Sequence, residues 1–450
     1  MNYPIRISGL AGFSIIWLGQ IISVLATSMS SFALSLWVIQ ESGSVTVYGL
    51  TRVFHLTPIL LLSPLAGVLI DRYNRKWMMM LSDLLAVLAT ALILLLSILG
   101  ELQVWHILAA AAFQGIGNAF QGPAYSAAIG MMIPKEHYGR ASGMMSLMKS
   151  GPAVLAPLLA GALYPLVGLS GLLALDVTTF FVAILTLRFI PIPHLPRTAP
   201  ASADLSTLWQ ESLYGLKYIF TRSGLLGMEL VFFFGNLFGG MALTVIAPMI
   251  LRRTDGDSLA LGTVLSASAL AGVAGALVMS VWGGPKRRIH GVLLGTFISC
   301  CFGLALVGIG QGLLIWIIGS MIFASLSPLV NGCETAILQA KVAPDVQGRV
   351  FAAVNFISWF TNPLSPLVAG LFADQLLEPW MDSQNGWAQA LGSVFGNHPG
   401  AGMGLLITLC GLGAALAGLA GYLSPSLRNL EYDLPDHDQN GTLKKITVTT

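Results

Sequence analysis

Ala156-Pro157-Leu158-Leu159-Ala160-Gly161 returns as Ser365-Pro366-Leu367-Val368-Ala369-Gly370, a shift of 209 residues, and Gly139-Arg140 returns at the same shift as Gly348-Arg349. A basic turn from Arg72 to Lys76 has its counterpart, Lys286 to Arg288, at nearly that spacing. Apolar segments rich in Leu, Ala and Gly resemble one another by chance, so any one match means little. Three at one register, each in the corresponding loop or helix, point to two homologous halves, and such a period dictates the fold more strongly than any local motif.

The surrounding composition says what solvent these halves meet. Of 450 residues 55% are hydrophobic, 50 are glycine and only 9% are charged, where a soluble domain carries roughly 25% charged residues. With a mean hydropathy of +0.78 there is too little polar surface to cover a water-facing protein of this size, so lipid surrounds most of the chain. The net charge of +2 offers no dense basic face, and no nucleic acid is expected as a partner. Cys300, Cys301, Cys333 and Cys410 lie inside apolar runs, which argues against a disulfide framework, and no metal or cofactor is expected. The apolar stretch from Gly9 to Ile39 is too long for a signal-peptide core and reads as a retained first span.

A helix crossing about 30 Å of hydrocarbon needs about 20 apolar residues. Twelve segments qualify: 11–38, 47–70, 77–98, 104–132, 142–167, 171–190, 224–250, 259–282, 290–310, 312–338, 348–373 and 402–423. The expected architecture is therefore an all-α membrane protein of twelve transmembrane helices in two pseudo-symmetric six-helix bundles. Residues 1–190 form the first bundle, 191–223 a cytoplasmic linker with an amphipathic helix from Leu205 to Phe220, 224–423 the second bundle and 424–450 a cytoplasmic tail. Of the 22 basic residues 18 fall in the tails and in the loops after even-numbered spans. The opposite loops hold only Arg252 and Arg253, offset by Asp255 and Asp257, so both termini are expected in the cytoplasm of a cell whose plasma (bacterial inner) membrane holds the chain. The loop from Asp374 to Gly400 lacks Lys and Arg and should be external, while the polar tail after Ser424 should be a mobile, solvated end.

Two six-helix halves around a midplane site are a secondary-transporter plan. Gly67-Val68-Leu69-Ile70-Asp71-Arg72-Tyr73-Asn74-Arg75-Lys76 resembles the signature of the major facilitator superfamily between its second and third spans. Pro123-Ala124, Ala127, Pro134 and Arg140-Ala141 resemble the drug-proton antiporter branch that includes macrolide and siderophore exporters. Two departures stand out: Ala111 sits ahead of Gln114-Gly115 where related antiporters often carry Arg, and Gly151-Pro152 lacks the glycine pair that follows it in the antiporter motif. The resemblance implies a conformational latch of Gly67, Asp71, Arg72, Arg75 and Lys76, in which Asp71 accepts hydrogen bonds from the N-terminus of span eleven. Asp83, about a turn and a half into span three, is expected to pair with the same bases.

In a three-plus-three repeat, spans one, four, seven and ten should play one role, and each carries a polar stripe. Gln114, Asn118, Gln121 and Tyr125 fall within an arc of about 60°. Span one supplies Gln20, Ser23, Thr27 and Ser30, span seven Glu229, Asn236 and Thr244 with Phe233 between, and span ten Ser320, Ser327, Asn331 and Glu334. Polar groups facing lipid are costly, so these stripes are expected to face another helix or a shared central cavity. Phe113, Phe120, Phe238, Trp37 and Trp359 could wall that cavity for an amphipathic solute.

Ionisable side chains at membrane depth are functional candidates by default. They are Arg52, Lys149, Asp176, Glu229 and Glu334. Arg52 and Asp176 lie roughly 8–9 Å outward of their span centres and could neutralise one another. A carboxyl group that is alternately dried and wetted changes its proton affinity, so Glu334, Glu229 or Asp176 could load and release a proton, with Lys149 as the cation whose proximity changes. The function so implied is export of an amphipathic small molecule in exchange for protons, by a monomer in the lipid bilayer. An uptake carrier or lipid translocator of the same fold is the alternative, and a membrane-embedded enzyme or receptor is the reading from a different class. No HExxH motif, nucleophile elbow or GxxxxGK[ST] loop supports catalysis or ATP hydrolysis.

Overall fold

The computed structural model describes residues 10–72, 75–132, 137–189, 214–383 and 386–434, and among them it is helical without a strand. The first bundle contains α1 (Leu10–Ser42), α2 (Val45–Arg72), α3 (Arg75–Leu99), α4 (Val104–Met132) and α5 (Tyr138–Phe189). α5 is two spans in one run. Gly168, at φ 66° and ψ −173°, turns the chain between them in a conformation open in practice only to glycine. A short helix over 214–220, α6, is the described part of the amphipathic segment; 205–213 lie outside the described residues.

The second bundle follows with α7 (Ser223–Arg253), α8 (Ser258–Trp282), α9 (Arg288–Ile298), α10 (Ala305–Ile309), α11 (Leu313–Lys341) and α12 (Pro344–Leu371). α13 (Glu378–Asp382), α14 (Gly386–Phe395), α15 (Ala401–Leu423), α16 (Pro425–Arg428) and α17 (Leu430–Asp433) complete it. A π-helical turn at Ser299–Leu304 joins α9 to α10 into one span, and another at Phe372–Leu377 leads from α12 into α13. Ten of these runs are long and apolar enough to cross a membrane. Counting α5 as two and adding α4, whose Gln114, Asn118 and Gln121 lower its hydropathy, gives the twelve spans expected.

Contacts divide the chain into two compact units, Met1–Ser202 with Thr254–Ser266, and Ala203–Arg253 with Ala267–Thr450. The same packing scheme recurs in each. In the first, α1 packs on α5, and α4 on α2 and α3; in the second, α7 packs on α12 and α15, and α11 on α9. Glycine sets the closest approaches. A Cβ on Gly115 would collide with the His55 carbonyl oxygen across α4 and α2, and one on Gly275 with the Ser325 carbonyl oxygen across α8 and α11. The repeated hexapeptide is itself such a place. A Cβ on Gly161 would strike the Ser258 carbonyl and one on Gly262 the Pro157 carbonyl, Ser258 Oγ donates to the Gly161 oxygen at 2.8 Å, and Leu158 N–H donates to Ser266 Oγ at 3.0 Å. These bonds place the start of α8 in the first unit, which a simple cut into halves does not anticipate.

Two charged residues at the loop between α7 and α8 also have local structural tasks. Asp257 caps α8 by accepting from the N–H groups of Leu259 and Ala260 at 2.8 and 3.0 Å. Arg253 donates to the carbonyl oxygens of Gly310, Phe395 and Gly400 at 2.6, 3.1 and 3.2 Å, tying three chain reversals of the second unit together.

The tail after Ser424 is not a free solvated end over its described part. Leu427 and Leu430 enter the core formed with Ile219, Leu225, Met228 and Leu338. Glu431 Oε2 accepts from Ile289 N–H at 3.1 Å, at the start of α9 where helix donors lack intrahelical partners. Lys341 Nζ donates to the Glu431 and Leu434 carbonyl oxygens at 2.6 Å each, and Arg287 Nη2 donates to Tyr432 Oη at 2.7 Å. The acidic residues of the segment hide this role in the sequence, where two leucines three apart are a weak signal. Leu430, 0% exposed, should cost about 2–5 kcal/mol when changed to Ala. Leu423→Ala, at a position 84% exposed, should leave the thermal midpoint of the purified protein almost unchanged.

Candidate functional site

The polar residues of the first unit sort into two clusters, each built around one buried carboxylate. Asp83 on α3 accepts from Gln121 Nε2 on α4 at 2.5 Å and also bonds the Gln20 side chain of α1. Among the described side chains it answers to two amides; the bases expected to pair with it, Arg72, Arg75 and Lys76, have side chains outside the described ones. Depth would have revealed this: Gln20, Asp83 and Gln121 lie 10, 8 and 11 residues from the ends of their helices on one side, about 12–16 Å at the helical rise.

Asp176, in the second arm of α5, accepts from Thr27 Oγ1 of α1 at 2.7 Å. One turn earlier along the same arm, the Leu172 carbonyl accepts from Ser30 Oγ at 3.0 Å. Its partner is thus the first span and not Arg52, because α1 is the helix that packs along α5. Asp176 is buried while Thr27 is exposed, so one hydroxyl separates the acid from the surface.

Other members of the stripes fall as follows. Ser23 is buried on α1; Asn118 is exposed and lies 3.4 Å from His55 Nε2; Gln114 Nε2 donates to Thr90 Oγ1 at 3.4 Å. Asn236 and Asn331 are exposed, and Asn331 Nδ2 donates to Ser327 Oγ at 3.3 Å. Phe234 meets Phe233 edge-on and stacks with Phe238, giving α7 an aromatic wall. Lys149 is exposed on α5. Of Tyr125 on α4 and the latch residues Gly67, Asp71, Arg72, Arg75 and Lys76 on α2 and α3, only the backbone falls within the described residues, and their side chains lie outside them.

The second unit handles its acids differently. Glu229, six residues into α7, and Glu334, seven residues before the end of α11, are 2% and 9% exposed and within electrostatic reach of one another. Neither oxygen of Glu229, nor Oε1 of Glu334, has a hydrogen-bond partner among the described residues. At the 209-residue shift Glu229 stands where the first unit has Gln20, Asn236 where it has Thr27, and Ser327 where it has Asn118. The position matching Asp83 is Val292. The amide-carboxylate contact of the first half is therefore not repeated in the second, where Glu229 instead lies within electrostatic reach of Glu334, the counterpart of Tyr125.

A pocket of about 260 Å³ opens among α1, α2 and α4 of the first unit. Arg52, His55 and Gln114 line it together with Ala111, the position where resembling antiporters place an arginine. The cation absent from α4 is thus supplied to the same space from α2.

Comparison with known proteins follows the same direction. A family model described as Major Facilitator Superfamily matches residues 16–366. Macrolide efflux protein A of Streptococcus pyogenes is 26% identical over 372 residues, covering 81% of this chain and 90% of that protein. Multidrug efflux pump Tap of Mycolicibacterium fortuitum is 22% identical over 353 residues, covering 75% and 83%. Among solved structures, a bacterial homolog of the human lysosomal transporter Spinster, inward-facing and unoccupied, aligns with a TM-score of 0.68 at 15% identity, covering 93% of this chain and 98% of that one. A bacterial homologue of the iron transporter ferroportin, also inward-facing, gives 0.63 at 12% identity over 91% and 98%. At these identities the structures speak for the fold alone.

The Asp83 cluster predicts a double-mutant result. Gln121→Leu should lower stability by about 1–3 kcal/mol, since it removes a donor from a buried acid, and by less in an Asp83→Leu background. Equal losses in both backgrounds, read from denaturation midpoints, would show that the two side chains do not act together.

Proposed function

The chain belongs to the major facilitator superfamily, and from that membership we propose that it is a secondary active transporter exporting an amphipathic small molecule, drug-like, macrolide-like or siderophore-like, in exchange for protons. It works by alternating access, as a monomer in the plasma (bacterial inner) membrane, with both termini in the cytoplasm. The similarity to macrolide and multidrug efflux proteins supports the direction and the substrate class. The Glu229 and Glu334 pair carries the coupling.

Among the described residues neither oxygen of Glu229 nor Oε1 of Glu334 meets a donor, and burying acids in that way costs stability, which makes them a poor structural device. Their value lies in exchange. In our proposal the pair holds a proton while shielded and trades it when the site opens to water, so each loading state favours a different conformation. Asp176, one hydroxyl from the surface, is a second candidate carrier, and Lys149 supplies an opposing charge. In each unit the exposed stripe residues are the ones we assign to solute contact: Asn236 and Asn331 with the rings of α7 in the second unit, and Thr27 and Asn118 in the first. Gln20 and Gln121, committed to Asp83, hold that surface in place.

Proteoliposomes of inside-out orientation, given an imposed proton gradient, should accumulate a radiolabelled macrolide where protein-free vesicles do not. Accumulation that ignores the gradient would remove proton exchange from the reading. Glu229→Gln and Glu334→Gln should each flatten the dependence of transport on external pH while leaving the amount of inserted protein unchanged; an unaltered pH profile in both would clear the pair of that role. By its resemblance to the family signature, Asp71 is proposed as a latch, and Asp71→Asn should slow export without reducing insertion.

A further inference from the structure

The pocket of the first unit carries more chemistry than the proton exchange uses. Its wall is mostly apolar, with Leu34, Val38 and Leu56 among the lining side chains, and no carboxylate lines it. Arg52 and His55 do, close enough to feel each other's charge. Thr51 and Ser35 spend their hydroxyl protons on carbonyl oxygens of their own helices, Tyr48 and Ser31. His55 is occupied by Asn118. Arg52 is left: it is exposed to the pocket, and none of the hydrogen bonds or ion pairs among the described residues engages it.

A guanidinium cannot give up its charge. Seven residues into α2, about 10 Å from the helix start, such a charge is tolerated where it meets water or an anion. The acid best placed by sequence to neutralise it, Asp176, is held by Thr27. The anion that fits must therefore come from outside the chain. Planar, forked donors suit a carboxylate, which accepts two parallel N–H bonds from one guanidinium. The apolar wall calls for hydrocarbon next to that group. The volume, below the roughly 300–1,000 Å³ of a drug-sized site, admits one end of a larger molecule or a small aromatic acid whole.

We propose that this pocket among α1, α2 and α4 is a binding subsite for the carboxylate end of an amphipathic organic acid, anchored by Arg52. The inference rests on the transport reading only for the purpose of the occupant; binding itself is measurable without transport.

The test uses the full chain in phosphatidylcholine nanodiscs, titrated calorimetrically at constant ionic strength with 2-naphthoate and with its uncharged analogue 2-naphthamide. The acid should bind more tightly than the amide. Arg52→Gln should weaken the acid roughly ten- to a hundredfold, the loss expected for a charged hydrogen-bonded contact, and leave the amide unchanged. Arg52→Lys should fall between, keeping charge without the fork, and Lys286→Gln, on the basic turn of the second unit, should match the unaltered chain. Equal affinity for acid and amide, or an unchanged acid affinity in Arg52→Gln, overturns the proposal. So does an acid preference that disappears when gluconate is replaced by chloride, since the pocket would then be an inorganic-anion site. Should Arg52→Gln not fold, the acid-over-amide ratio of the unaltered chain and its reduction in Arg52→Lys decide the matter. Naphthoate binding through Arg52 in a protein that shows no gradient-driven export would sink the transport reading and leave the subsite standing; export without that binding would do the reverse.

Discussion

A polar group that leaves water inside a membrane must find its partner in the protein, and most of this structure follows from where those partners lie. Backbone groups find them within their own helices, which is why the chain is built of spans, and the backbones of two spans come closest where glycine removes the side chain between them. Gly115 against His55, Gly262 against Pro157 and Gly275 against Ser325 are such contacts. Side chains find theirs across helices. Asp83 has Gln20 and Gln121, Asp176 has Thr27, and Arg253 has three carbonyl oxygens.

Against that background the exceptions are informative. Among the described residues neither oxygen of Glu229 nor Oε1 of Glu334 has a donor, and no acid pairs with Arg52. Duplication makes the contrast sharper, because Gln20 and Glu229 occupy the same register of two related helices. One copy keeps a satisfied contact that fixes α1, α3 and α4 to each other. The other carries an acid where the first has the amide, and a valine where the first has the aspartate, so this contact is not repeated there.

Much of the fold was legible because hydrophobic length and basic-loop spacing depend on local composition. The twelve spans, the Gly139 and Gly348 register and the break near Gly168 all follow from short stretches of chain. Pairings were not legible in the same way. The Arg72 to Lys76 turn lies nearest to Asp83 along the sequence, whereas the two amide donors that the structure describes sit on two other helices at matching depth. Arg52 and Asp176 share a depth but not a neighbour, since α5 lies along α1. The hexapeptide Ala156 to Gly161 announced the repeat, yet nothing in it says that its glycine receives the first turn of α8.

The closing segment of the second unit also bears on how the protein is made. Leu427 and Leu430 emerge from the ribosome after every span has been synthesised, and they fill a core whose other members, Ile219 and Leu225 among them, were translated some two hundred residues earlier. A chain cut just short of them would leave that core open, so the packing of the second unit depends on residues that lie beyond its last span.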